Sequence, residues 1–192
     1  RLLDSLMFII KKNYYLYIEN TASLNLDYIK KNKKISIIYR NNETQEDSDH
    51  LKQFRNKCKI KNFKFFVANN FKLARFVKAD GIYLSSYNKK IYPKYKYNLI
   101  GSAHNFKEIY LKKKQGCKTV ILSRLFETSY KDKKSYLGIV KFNLIKKNCL
   151  IDLVPLGGIN DINLLKLNLV ASKGFCLLSE IKKKPAISNR LF

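Results

Sequence analysis

"FKFFVANNFKLARFVKADGIYLSS", residues 63–86, is the stretch whose reading decides the fold. Two β-rich runs, 63–69 and 81–86, flank a segment whose apolar residues recur at helical spacing. Neither run alternates strictly between apolar and polar residues. Near-continuous apolar runs of this length suit parallel strands buried on both faces. Asn69 or Asn70 stands where a helix cap belongs, because a short polar side chain there accepts a bond from an otherwise unpaired backbone N–H. The stretch reads as one strand–helix–strand unit.

The unit repeats in both directions. Strands are also expected at 14–20, 33–40, 98–104, 119–126, 153–158 and 174–180, eight in all. Helix candidates lie between them: 23–32 with Ser23 as cap, 48–58 after an acidic run, 105–116 ending on Gly116, and 159–170. Segment 87–97 and the tail from 181 carry no clear helix. Alternating strands and helices imply an α/β parallel architecture, and eight units close a TIM (β/α)8 barrel. The chain is short for that fold; shortened helices after strands 4 and 8 account for its length. The competitor is an open doubly wound sheet, whose reversed strand order no sequence displays. The 192 residues are expected to form a single domain, 1–192, with 1–12 as an amphipathic lead-in helix.

Composition narrows the class. Apolar residues make up 46 %, too many for a disordered chain, and no apolar run approaches a membrane span. "RLLDSLMFIIKK" at the start is apolar but lacks the small-residue cleavage site of a signal peptide. Lys and Arg number 39 against 14 Asp and Glu, a formal charge of +25. Such a balance can serve a nucleic acid, with steeply salt-dependent binding. Here the basic residues are spread along the whole chain. Lys, Asn, Ile and Tyr are abundant and Trp is absent, as drift toward A+T-rich codons produces. Nucleic acid is therefore the less favoured partner, and no membrane partner is expected. The cysteines, Cys58, Cys117, Cys149 and Cys176, form no CxxC pair and read as buried free thiols of a cytoplasmic protein. Self-association stays open.

"LVPLGGIN", 153–160, stands out in a chain with seven glycines. Gly157 and Gly158 follow a strand and precede a helical pattern. Glycine lets an anion approach backbone N–H groups, and a helix start adds donors, so the pair suits a phosphate. In a TIM barrel the loops after strands 7 and 8 commonly hold one, and Leu178 and Ser179 end strand 8 as a second wall. A tight turn with no ligand explains the pair equally well. The other strand ends gather Arg40, Asn69, Asn88, Ser102, His104, Arg124, Thr128 and Lys131, a basic, amide-rich mouth suited to a phosphorylated metabolite. His104 reads either as part of that mouth or as a group that caps the next helix or satisfies a core hydrogen bond. No metal site, P-loop, GxSxG or Ser–His–Asp signature is present.

In this order the motifs resemble the thiamine phosphate synthase/TenI superfamily of small TIM barrels. "IIYRNN" stands where the family has Gln-x-Arg-x-Lys, and "FFVANNFKLARFVKADGIYLSS" resembles its strand–Asn-Asp–helix–"ADGVHLGQ" segment. "LIGSAHNFKEI", "VILSRLFETSYK", "VPLGGINDINL" and "GFCLLSEI" are similar to "IGVSAHN", "GLGPVFPT-x-T-K", "AIGGI" and "GVAVISAI". The resemblance spans about 14–181. It implies that a pyrimidine diphosphate is joined to a thiazole phosphate with release of diphosphate. It implies that Arg40 contacts the diphosphate, that Ser102 lies near the pyrimidine, and that Thr128 and Lys131 belong to a closing loop. Gly157, Gly158, Leu178 and Ser179 would cradle the thiazole phosphate.

The departures are specific. The family's glutamine and lysine correspond to Ile38 and Asn42. Its strand-3 asparagine and aspartate correspond to Ala68 and Asn69, and its aspartate after strand 4 to Asn88. Carboxylates at these positions hold Mg2+ in synthases. Mg2+ is thus implied only if synthase chemistry is retained, and no other cofactor is implied. A TenI-like thiazole tautomerase, or a barrel that binds a thiazole phosphate without turnover, is the alternative. For tautomerase chemistry His104 is the better acid/base candidate, because Arg124 is a poor proton shuttle.

Overall fold

The computed structural model describes residues 13–31, 33–41, 46–92, 97–128, 135–160 and 162–177. The lead-in segment 1–12, Asn42, Lys131, Leu178, Ser179 and everything after strand 8 lie outside them. Eight strands are present: β1 (Asn13–Ile18), β2 (Ile35–Tyr39), β3 (Lys64–Ala68), β4 (Gly81–Leu84), β5 (Asn98–Ala103), β6 (Thr119–Ser123), β7 (Asp152–Leu156) and β8 (Gly174–Leu177). Each lies on an expected segment. Every neighbouring pair is parallel, and β1 pairs with both β2 and β8, Tyr14 opposite Ile35 and Phe175. The sheet closes in sequence order, so the barrel stands and the open doubly wound sheet does not.

Closure explains why the runs do not alternate. Tyr15, Tyr17, Ile38, Phe66, Tyr83, Ile100, Ile121, Val154 and Cys176 pack together inside the barrel. Their neighbours Leu16, Ile37, Phe65, Ile82, Val120 and Leu153 belong to a separate outer cluster. That cluster takes in one face of each helix. From α1 (Ser48–Ile60) come Leu51, Phe54 and Cys58; from α2 (Phe71–Phe76), Ala74; from α3 (Phe106–Lys114), Ile109; from α4 (Gly138–Lys147), Phe142 and Ile145. Burying each Leu, Ile or Phe of this kind contributes about 1.5–3 kcal/mol, so both layers hold the sheet closed.

Capping follows local chemistry. Asp47 accepts from Asp49 N at α1, Asn70 from Leu73 N at α2, and Asn105 from Glu108 N at α3. Asn70, not Asn69, is therefore the cap of α2. The Glu108 carboxylate accepts from the His104 N–H and the Asn105 amide in return, so His104 gives its helix only a backbone donor. Gly116, at φ +88°, follows the end of α3. The "ADG" aspartate, Asp80, accepts from Phe65 N and pairs with Arg55 at 2.9 Å, tying α1 to β3 and β4.

Three expectations change. The described residues of segment 23–32 form no α-helix: short 3-10 turns cover Thr21–Ser23 and Leu26–Tyr28, and Asn25 rather than Ser23 caps the second. Segment 159–170 gives a 3-10 helix at Leu164–Leu169. There Asn160 and Asn163 bond backbone groups of 158, 160, 162 and 163, and such local bonds compete with an α-helix. The repeat implied a helix after strand 6 but no residues were assigned to it; α4 fills that place, and its N-cap, Leu137, makes no side-chain capping bond. Between β4 and β5 the described residues hold no helix, where a shortened one was expected, and 93–96 lie outside them. Among the described residues no helix is long and apolar enough to cross a membrane.

Candidate functional site

The strands point their C-terminal ends at one mouth, and the sequence-derived residues gather there in three groups. The first lies at the axis. Arg40 follows β2, its N–H donating to Ile18 O. Its side chain is partly buried, and Nε is buried without a partner. Its charge acts on the hydroxyls of Tyr17 and Tyr83, which are hydrogen-bonded to each other. Ser102 acts on the Tyr83 hydroxyl and partly offsets the rise that burial causes. Burial raises the Tyr17 and Tyr83 hydroxyls above the usual phenol range, so both are neutral near pH 7. Arg40 has no side-chain hydrogen bond or ion pair among the described residues.

The second group lies at the β3–β4 corner. Asn69 has φ +56°, and its amide is fully engaged. Oδ1 accepts from Ser85 N at 3.0 Å and Asn88 Nδ2 at 2.9 Å. Nδ2 donates to Ser85 Oγ at 2.7 Å and the Tyr87 hydroxyl at 3.1 Å. Asn88 Nδ2 also reaches the Tyr92 hydroxyl, and its Oδ1 accepts from Lys90 N. Lys112 lies behind this corner, fully buried, its ammonium donating to Ser85 O and Asn88 O at 2.7 Å each.

The third group spans β5 to β7. His104 Nδ1 and Ser123 Oγ are 2.9 Å apart. They line a cavity of about 490 Å³ with Arg124, Ser135, Tyr136, Leu137 and Lys141. The Arg124 guanidinium donates to Thr128 Oγ1 and Ser135 O at 2.9 Å. Gly157 and Gly158 have φ +98° and +69°. A Cβ on Gly158 would sit 2.3 Å from Glu127 O, and one on Gly157 2.8 Å from Arg124 Cγ. The pair is thus required by close approach to the segment after β6, whatever ligand it meets.

Tyr17, Tyr83, Lys112, Ser123 and Lys141 were not singled out from sequence. Ser123 had one available signal, its place at the end of a strand beside Arg124. The others look like ordinary core tyrosines or surface lysines.

A divalent ion does not fit the β3–β4 corner. Mg2+ takes carboxylate oxygens, and Asn69 and Asn88 offer neutral amides, the first with both lone pairs of Oδ1 in use. Among the described residues no group of three or more His, Cys, Asp or Glu is placed to hold a metal. What the mouth offers is cationic and hydrogen-bonding: Arg40, His104, Arg124 and Lys141, suited to an anion.

Comparison with known proteins agrees with this architecture. The model of the thiamine monophosphate synthase family matches residues 6–181. A thiamine-phosphate synthase of Prochlorococcus marinus strain AS9601 is 31 % identical over 77 % of this chain and 44 % of its own length. That of Prochlorococcus marinus subsp. pastoris is 32 % identical over 68 % of this chain and 39 % of its own length. The chain thus spans less than half the length of these curated relatives. Among solved structures, thiamine phosphate pyrophosphorylase from Pyrococcus furiosus superposes with a TM-score of 0.75 at 18 % identity, covering 96 % of this chain and 95 % of that one. KGPDC from Streptococcus mutans follows at 0.62 and 10 % identity over 94 % of each chain, a likeness of fold. The chain belongs to the thiamine monophosphate synthase family.

Proposed function

From this membership we propose that the mouth binds a phosphorylated thiazole and a pyrimidine diphosphate and joins them into thiamine phosphate, in the cytoplasm. One observation carries the reading: the Arg40 guanidinium stands at the axis with a buried Nε that nothing in the described chain satisfies. A buried donor without a partner is costly, so its natural complement is a ligand acceptor. Because the donor is a cation beside two neutral tyrosines, the complement is anionic.

On this reading the pyrimidine methylene–oxygen bond breaks, and diphosphate leaves with the electron pair. The thiazole nitrogen supplies the pair for the new carbon–nitrogen bond. Arg40 neutralises the departing diphosphate, where most charge develops. Ser102, beside Tyr83, lies against the pyrimidine. Asn69 and Asn88, engaged with each other, form the wall of the site. Arg124 holds Thr128, and with Lys131 the segment after β6 covers the reactants. Gly157, Gly158, Leu178 and Ser179 receive the thiazole phosphate.

The 2.9 Å contact between His104 and Ser123 favours a second reading, a TenI-like tautomerase. The His104 imidazole, beside a cavity with two cations, can move a proton on a thiazole carboxylate phosphate. The deciding experiment incubates purified protein with hydroxymethylpyrimidine diphosphate and thiazole phosphate, and separately with thiazole carboxylate phosphate. Thiamine phosphate formation lost in Arg40→Met supports the synthase. Absence of product, with proton exchange on the thiazole carboxylate phosphate that His104→Gln abolishes, selects the tautomerase. Saturable thiazole-phosphate binding without either reaction selects a binding protein.

A further inference from the structure

Lys112 is the least expected charge in the molecule. It sits in the "LKKK" run of α3, and its relative exposure is zero. Lys113 and Lys114 beside it are exposed, with Lys114 over the Tyr110 ring. The Lys112 stem crosses β5 where that strand carries Gly101; a Cβ there would lie 2.7 Å from Lys112 Cγ. The ammonium reaches two backbone carbonyls of the loop after β4, Ser85 O and Asn88 O. Gln115, one turn on, donates to Asn88 O at 3.0 Å and Lys90 O at 2.7 Å. The described residues place no carboxylate at ion-pair distance from Lys112.

A buried ammonium bonded only to carbonyl oxygens resembles a bound metal ion more than a salt bridge: a compact charge collecting oxygen ligands from one loop. The loop it collects presents Asn88 to Asn69 at 2.9 Å. Two carboxylates in those places would repel each other without a cation between them, whereas two amides bond directly. A second cation in front of the corner would face Lys112 behind it, a like-charge repulsion strengthened by burial.

We propose that Lys112 is a resident cation that orders the β3–β4 corner of the mouth, so that this barrel binds its anionic ligand without a divalent ion. The ligand half of the statement rests on the mouth being the binding site described above; the metal half does not.

The experiment titrates the protein with Mn2+, followed by electron paramagnetic resonance, and needs no substrate. The wild-type chain is expected to show no site tighter than about 1 mM, and the double variant Asn69→Asp/Asn88→Asp to gain one at least about tenfold tighter. A stoichiometric micromolar site in the wild type that Asn69→Ala removes would overturn the proposal. Equilibrium dialysis with labelled inorganic pyrophosphate in EDTA tests the ligand half: binding within about twofold of that in Mg2+ supports it, and strengthening by about tenfold or more with Mg2+ overturns it. Absence of pyrophosphate binding under both conditions would sink the ligand half and the anion reading of the mouth, leaving the metal result to stand. Hydrogen exchange on Lys112→Met is expected to quicken about tenfold or more at amides 85–92 while β1–β3 stay protected; unchanged rates would remove Lys112 from its ordering role. The wild-type Mn2+ result decides even if that variant does not fold.

Discussion

Two flanks of one mouth use similar polar residues to opposite ends. At the β3–β4 corner every group of Asn69 is bonded to the protein, and a buried lysine backs the loop. Across the barrel, His104, Ser123, Arg124 and Lys141 surround an open cavity. The first flank is closed on itself and contributes stability. The second ties Arg124 to Thr128 and Ser135 but leaves His104 and Lys141 exposed around an open cavity. A polar residue at a barrel strand end is therefore no sign of a binding role until its hydrogen bonds are accounted for.

The comparison can be broken in several ways. Both flanks rest on a neutral floor of Tyr17, Tyr83 and Cys176, and burial raises all three above their ordinary values of 10.0, 10.0 and 9.0. Burial also pushes the Cys58 and Cys117 thiols up to about 12. A raised acid binds its proton more tightly folded than unfolded, so stability is full below about pH 9 and falls as pH rises from there. Urea titrations from pH 7 to 11 should show the largest loss of all, and a flat profile would contradict a buried floor. Gly158→Ala comes next, at about 3 kcal/mol, because its Cβ meets Glu127 O and its φ is positive. Thermal unfolding measures it, and a loss under about 1 kcal/mol would mean that the segment after β6 yields freely. Asn69→Ala is expected to cost about 2 kcal/mol through the Ser85 and Asn88 partners it abandons. Arg40→Met should leave stability nearly intact yet weaken pyrophosphate binding at least about tenfold, read by calorimetry. His104→Gln has the smallest effect on stability, under about 0.5 kcal/mol, while abolishing any proton exchange on thiazole carboxylate phosphate. If Asn69→Ala spared stability and His104→Gln cost it, the two flanks would have to be exchanged.

The strands were legible because a barrel strand buried on both faces needs apolar residues throughout, and 63–69 and 81–86 have them. The α4 helix was not, since Leu137 offers no cap and its apolar residues follow a lysine-rich segment. The 3-10 helix at Leu164–Leu169 passed for an α-helix because leucine spacing was visible and the competing Asn160 and Asn163 bonds were not. Asn69 and Asn88 could be marked as departures from a family pattern. Their mutual bond joins residues 19 apart and depends on how the loop after β4 folds.

The sequence by itself determined eight buried parallel strands, the family, and the chemical types gathered at the strand ends. Those follow from periodicity and motif order, which are local. The tertiary structure decided which polar groups are already bonded, that Lys112 is buried among carbonyls, and that Arg40 is left with an open donor. Hydrogen bonding and burial are relations between residues far apart in the chain, and only closure of the barrel brings them within reach.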